Sequence, residues 1–193
     1  MMIGIILPIV VVLLAIMILL WLKRRKKEEE PSDEVSEPFE FEPQEGMGYI
    51  FVNNGRDRSY ETLISEIEKG SSGLCFTRTF PPMLKKQYQL KDTKILWLSR
   101  DEEKGGFIPT NLGAISNVVE KFLKENKENR TVVVIDGLEY LMAQNGFSKV
   151  LKLVHNLKDM VGVSSGSLFI PFNLKSVEER QAALLSGDLE VIE

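Results

Sequence analysis

Val132-Val133-Val134-Ile135-Asp136 is the stretch of this 193-residue chain whose residue types come nearest to chemistry. Four apolar residues ending in an acid read as a strand that delivers a carboxylate to its C-terminal end, where ligands of open α/β sheets gather. A carboxylate placed there can help hold Mg²⁺, and a nearby acid such as Glu139 can orient a water. Asp is also common at strand ends because it suits turns and caps helices, so the pattern alone leaves both readings open. Arg78 and Arg100 each follow a predicted strand. If those strands run parallel to the acid-bearing one, both arginines reach the same edge, to bind an anion or to pair with Asp136 and Glu139.

Triphosphate chemistry needs a second part, GxxxxGK[ST], whose backbone N–H groups and lysine surround the phosphates. The loop at the expected place reads Asn53-Asn54-Gly55-Arg56-Asp57-Arg58-Ser59, with one glycine and no Lys-Ser or Lys-Thr pair. Gly70-Ser71-Ser72-Gly73 and the Gly162–Gly166 stretch also lack that lysine, and Gly105-Gly106 leads into Phe-Ile-Pro rather than a helix. ATP hydrolysis by this route is not expected. Cys75 is the only cysteine and His155 the only histidine, too little material for a disulfide, a zinc cluster or a catalytic triad. No cofactor or metal is expected. Cys75 sits in an apolar run and reads as core, and His155 lies on the flank of a helical stripe and reads as solvent-facing.

The elements that must position these residues alternate regularly. Strands are predicted at Tyr49–Val52, Gly73–Thr77, Lys94–Ser99, Arg130–Ile135 and Leu168–Phe172, with Leu189–Ile192 a sixth strand or a frayed tail. Helical spacing joins Tyr60, Leu63, Ile64 and Ile67 behind a Ser59 cap, then Leu112 to Phe122, Phe147 to Val161, and Val177 to Leu185. Phe80-Pro81-Pro82 is expected to delay any helix until Met83. Strand and helix in alternation predict a mostly parallel sheet flanked by helices on both faces.

Before this domain, expected over 47–193, the composition is extreme. Residues 1–22 carry no charge, and Met2 to Leu22 is long enough for a helix to cover about 30 Å of hydrocarbon. Trp21 sits at its end, followed by Lys23, Arg24, Arg25, Lys26 and Lys27. No basic residue precedes the segment, so the charge bias places its C-terminal side in the cytoplasm. The expectation is a single-pass protein of the cell membrane, its lipid bilayer contact made through Met2 to Leu22. A cleaved signal peptide fits poorly, lacking a basic start and a small-residue cleavage site. Residues 23–46 read as a basic then acidic linker; 28–46 hold nine acids and no cation, too little apolar surface to fold alone. Phe39 and Phe41 break that polarity and are expected to dock on the domain, the alternative being a short partner-binding strand. The domain itself has 19 cations and 19 acids, without the basic field that nucleic-acid binding uses.

Several stretches together resemble a known family, the archaeal domain of unknown function numbered 835. They are Gly73-Leu74 through Thr77-Arg78, Ile95-Leu96-Trp97-Leu98, Ile108-Pro109-Thr110-Asn111-Leu112, and above all Asp136-Gly137-Leu138-Glu139-Tyr140-Leu141 with Asn145-Gly146-Phe147. The resemblance implies an archaeal source, a domain often found behind membrane segments, and a RecA-like core without a phosphate loop. Arg78, Arg100, Asp136, Glu139 and Asn145 are the candidate ligand or partner site. The expected function is a membrane-anchored, non-catalytic binding or signalling module for a protein partner. The alternatives are a nucleotide sensor or degenerate ATPase-like enzyme, and a structural self-assembly domain.

Overall fold

Thr131–Asp136 forms strand β4, and its unbroken valine run is explained by its surroundings: strands pair with it on both sides, and Thr131 to Ile135 are buried. The computed structural model describes Met17, residues 39–91 and residues 93–193. The expected membrane segment, apart from Met17, and the linker up to residue 38 lie outside the described residues. Among the described residues no helix is long and apolar enough to cross a membrane.

Five more strands complete the sheet: β1 Gly48–Phe51, β2 Ser72–Thr77, β3 Thr93–Trp97, β5 Gly166–Pro171 and β6 Glu190–Ile192. All pairings are parallel, in the order β3-β2-β4-β5-β1-β6. The helices are α1 Gly55–Glu68, α2 Pro81–Tyr88, α3 Leu112–Glu125, α4 Leu138–Asn145, α5 Phe147–Gly162 and α6 Glu179–Ser186.

Strand order and handedness decide which face each helix covers. From β1 to β2 and from β2 to β3 the chain moves toward the β3 edge; every later crossover moves the other way. Right-handed connections therefore put α1 and α2 on one face and α3 to α6 on the other. The side chains obey this. Leu74, Phe76, Val133, Ile135, Leu168 and Ile170 share a core with Ile115 and Val119 of α3, Leu141 of α4, Leu157 of α5 and Leu185 of α6. The alternate residues, including Tyr49, Phe51, Cys75, Val134 and Phe169, are buried on the α1 face with Tyr60 and Leu63.

Three local features differ from the sequence expectation, and one alternative left open at Leu189–Ile192 resolves as a strand. α1 begins at Gly55, entered through Asn53 and Asn54 at φ 29° and 53°; Ser59 is buried inside it, donating to the Arg56 carbonyl. α2 begins at Pro81, since proline in a first helical turn has no N–H to lose there. α4 is absent from the sequence reading, being one short helix between two glycines. β6 forms, pairing with β1.

The compact unit runs from Glu40 to Glu193. Phe41 stands edge-on to Tyr49 and Phe51 at 5.0 and 5.7 Å. The Gln44 N–H donates to the Tyr49 hydroxyl at 2.7 Å, and the Gly46 N–H to the Gly166 carbonyl at 2.7 Å. Arg130 donates to the Pro43 carbonyl and pairs with Glu45 at 3.2 Å and with buried Glu66 at 3.3 Å. Residues that composition groups with the linker thus cover the end of the sheet at β1.

Candidate functional site

Parallel register carries Thr77 of β2 opposite Asp136 of β4, both facing α1. The Thr77 hydroxyl donates to Asp136 Oδ2 at 2.8 Å, and the Tyr60 hydroxyl from α1 donates to the same oxygen at 2.9 Å. Arg56, one residue into α1, adds Nε at 3.1 Å and an ion pair through Nη2 at 2.9 Å. The Asp136 side chain is only 13% exposed. Arg56 Nη2 also donates to the Thr79 hydroxyl, and its guanidinium lies 5.9 Å from the Tyr60 ring centre. Burial works against the Arg56 charge, but the carboxylate beside it more than offsets that and raises its pKa further.

Below this carboxylate the network runs inward. Tyr60 OH lies 3.2 Å from Cys75 Sγ, and its ring stacks on Tyr88 at 4.4 Å between centres. Burial, with Cys75 and Asp136 nearby, holds the Tyr60 phenol neutral well above the usual range. Burial likewise pushes the Cys75 thiol up to about 12.

Above it opens a cleft of about 850 Å³ at the C-terminal edge of the sheet. Its walls come from the β1–α1 turn and from the segment after β5, with Asp136 and Glu139 also lining it. This is where the chain leaves adjacent strands toward opposite faces, the crevice in which α/β sheets place ligands. Asn53, Arg56, Glu139, Asn173 and Lys175 supply its polar wall. Only Val52, Asn53 and Asn54 separate β1 from α1, too few to wrap a phosphate as the eight-residue motif does.

The five candidate residues are not gathered in one place. Asp136 and Glu139 line the cleft. Arg78 does not pair with Asp136: it donates to the Leu98 carbonyl and lies 3.8 Å from the centre of the Tyr140 ring. Arg100 donates to Gln144 at 2.5 Å. Asn145 donates to the Pro109 and Leu141 carbonyls at 3.0 and 2.9 Å, tying the loop before α3 to the end of α4. Gly137 sits at φ 132°, and a Cβ there would meet Arg78 Cγ at 2.9 Å, so the packing of Arg78 over this turn requires glycine.

Arg56, Tyr60, Thr77, Asn173 and Lys175 were missed by reading motifs. A signal for the first existed: an arginine opening the first helix, beside the edge where the acid-ended strand arrives. Among the described residues no cluster of His, Cys, Asp and Glu could hold a metal ion.

No curated protein matches the chain. Residues 52–189 match the family model described as "Protein of unknown function (DUF835)", from the end of β1 to the threshold of β6. That span includes Asp136, Gly137, Arg56 and Tyr60, and by it the chain belongs to the DUF835 family.

Proposed function

We propose that the protein is a membrane-tethered, non-catalytic binding module that recognises a protein partner through the cleft at the C-terminal edge of the sheet. The observation that carries this reading is the state of Asp136. Its Oδ2 already accepts from Thr77, Tyr60 and Arg56. A cation there would compete with a guanidinium supplied by the same chain. What the cleft offers outward is a mixed polar wall suited to recognition. The all-parallel sheet, with an acid-ended strand and the first strand–helix turn at one edge, supports a RecA-like reading of the core. The uncharged Met2 to Leu22 run and its five following cations support the anchor and a cytoplasmic domain; an archaeal source belongs to the same reading.

The test uses full-length protein in cells, with a photo-crosslinking side chain at Asn173 or Lys175 and, as control, at exposed Lys121 on α3. A discrete adduct from both cleft positions and none from Lys121 is expected. Adducts that are absent, or equal at all three positions, would refute the reading.

A nucleotide sensor is the second reading, favoured by the cleft volume, which falls within the range of small-molecule sites. It requires a nucleotide-dependent rise in melting temperature.

A further inference from the structure

The corner of the domain farthest from β1 has an unusual surface. Phe80, just before α2, is 41% exposed, and Met83 in its first turn is 65% exposed. Phe80 stands edge-on to Trp97 of the edge strand β3 at 5.2 Å. Lys85 and Lys86 follow on the same helix and are exposed. Lys91 is exposed just before β3, and Lys94 is exposed within it. From Arg78 to Arg100 the chain carries six cations, Arg78, Lys85, Lys86, Lys91, Lys94 and Arg100, against one acid, Asp92. In a domain with equal numbers of cations and acids, this is a strong local excess. None of the four lysines makes an ion pair among the described residues. On the neighbouring α1, Asp57 accepts from Tyr88.

We propose that this corner, Phe80, Met83 and Trp97 with Lys85 and Lys86 on the same helix as Met83, docks the domain onto an anionic lipid bilayer surface. Charge complementarity selects the occupant. Lysines are compact point charges on flexible stems; they suit a fluid layer of negative headgroups, whereas fixed carboxylates are better matched by the arginine fork. The apolar side chains also point to insertion. Neither Phe80 nor Met83 lines the groove between α1 and α2. They stand out from the surface as apolar residues do in helices that lie in the membrane interface. The inference rests on the tethered reading of the chain: an anchored domain meets the bilayer at high effective concentration, so weak docking suffices.

The experiment uses the full-length chain with Trp21→Phe, which leaves Trp97 as the one tryptophan. The protein is reconstituted into nanodiscs of zwitterionic or anionic lipid carrying brominated acyl chains. Expected is a blue shift and quenching of Trp97 in anionic discs at low salt, reversed at molar salt. Each lysine removed should lower the docked-to-free ratio about fivefold, so Lys85→Ala with Lys86→Ala should lower it about 25-fold. Circular dichroism of that variant should match the parent, since both side chains are exposed. Trp97 emission equal in zwitterionic and anionic discs would overturn the proposal. So would a response to polyglutamate without a response to anionic lipid, which would assign the corner to an acidic protein. Flotation with vesicles at molar salt reads the anchor separately. If the chain fails to float, the tether is refuted, while Trp97 with added vesicles at low salt still decides the docking surface.

Discussion

Asp136 is held by three donors from two elements, Arg56 and Tyr60 of α1 and Thr77 of β2, so its contribution is one of connection as much as charge. Asp136→Asn keeps the shape and removes the charge facing Arg56. A loss of about 2 kcal/mol in unfolding free energy is expected, for one charge-assisted bond in a partly exposed pair. Urea unfolding of Asp136→Asn, Arg56→Met and the double variant should show the two effects to be non-additive. Additive losses would mean that the pair is incidental. Gly137 makes a sharper test. Alanine there meets both a strained φ and the Arg78 side chain, and a loss of about 2 kcal/mol or more is expected. Adding Arg78→Ala should recover the steric part and leave the backbone part.

Cys75 gives a pH signature whose sign follows from its burial. An unfolded cysteine ionises near pH 8.5, as a reference value of roughly that size implies. In the fold the thiol stays protonated to about 12. Above the lower value the unfolded state binds fewer protons than the folded one. Stability that is complete below it is therefore lost as pH rises toward 12, at about 1.4 kcal/mol per pH unit for this group. Urea midpoints at rising alkaline pH should fall, and Cys75→Ala should make the fall shallower. Tyr60 and Tyr88, both raised chiefly by burial, add loss in the same direction. Maleimide should fail to label Cys75 in the native protein and label it readily in urea.

At the scale of elements, residues 40–46 make the clearest claim. Phe41 fills an aromatic corner with Tyr49 and Phe51, and Glu45 reaches Arg130, which also neutralises buried Glu66. A fragment beginning at Glu40 should therefore be more stable than one beginning at Met47, by about 2 kcal/mol from the apolar burial of one aromatic ring. Equal urea midpoints would contradict the packing.

The same segment shows what was legible in the sequence. The sheet was readable, because five of six strands are apolar runs between turn residues and their alternation with helices forces parallel pairing. Asp136 at the cleft was readable because an acid ending an apolar strand has one place to go. The start of α1 was not, since two asparagines in left-handed conformation replace the serine cap that pattern favours. α4 was hidden because eight residues hold little more than two helical turns of periodicity. Arg56 was hidden because its partner lies 80 residues away, a distance only the crossover of α1 closes. The partners of Arg78 and Asn145 were hidden for a related reason. They are a ring and backbone carbonyls, and neither leaves a trace in charge pattern.

Across the whole molecule, charge is sorted by region. An uncharged run, five cations, nine acids and a balanced domain succeed one another, and within the domain the Arg78–Arg100 stretch is again basic. The cleft lies at the edge where the strands end, and the chain enters the domain where β1 begins. The Arg56 guanidinium stands beside Asp136, where a cation on the same oxygen would have to displace it. The direct measurement is the melting temperature of the full chain in millimolar MgATP and MgGTP against Mg²⁺ alone. No shift is expected with either nucleotide. A saturable rise that Asp136→Asn abolishes would contradict the claim.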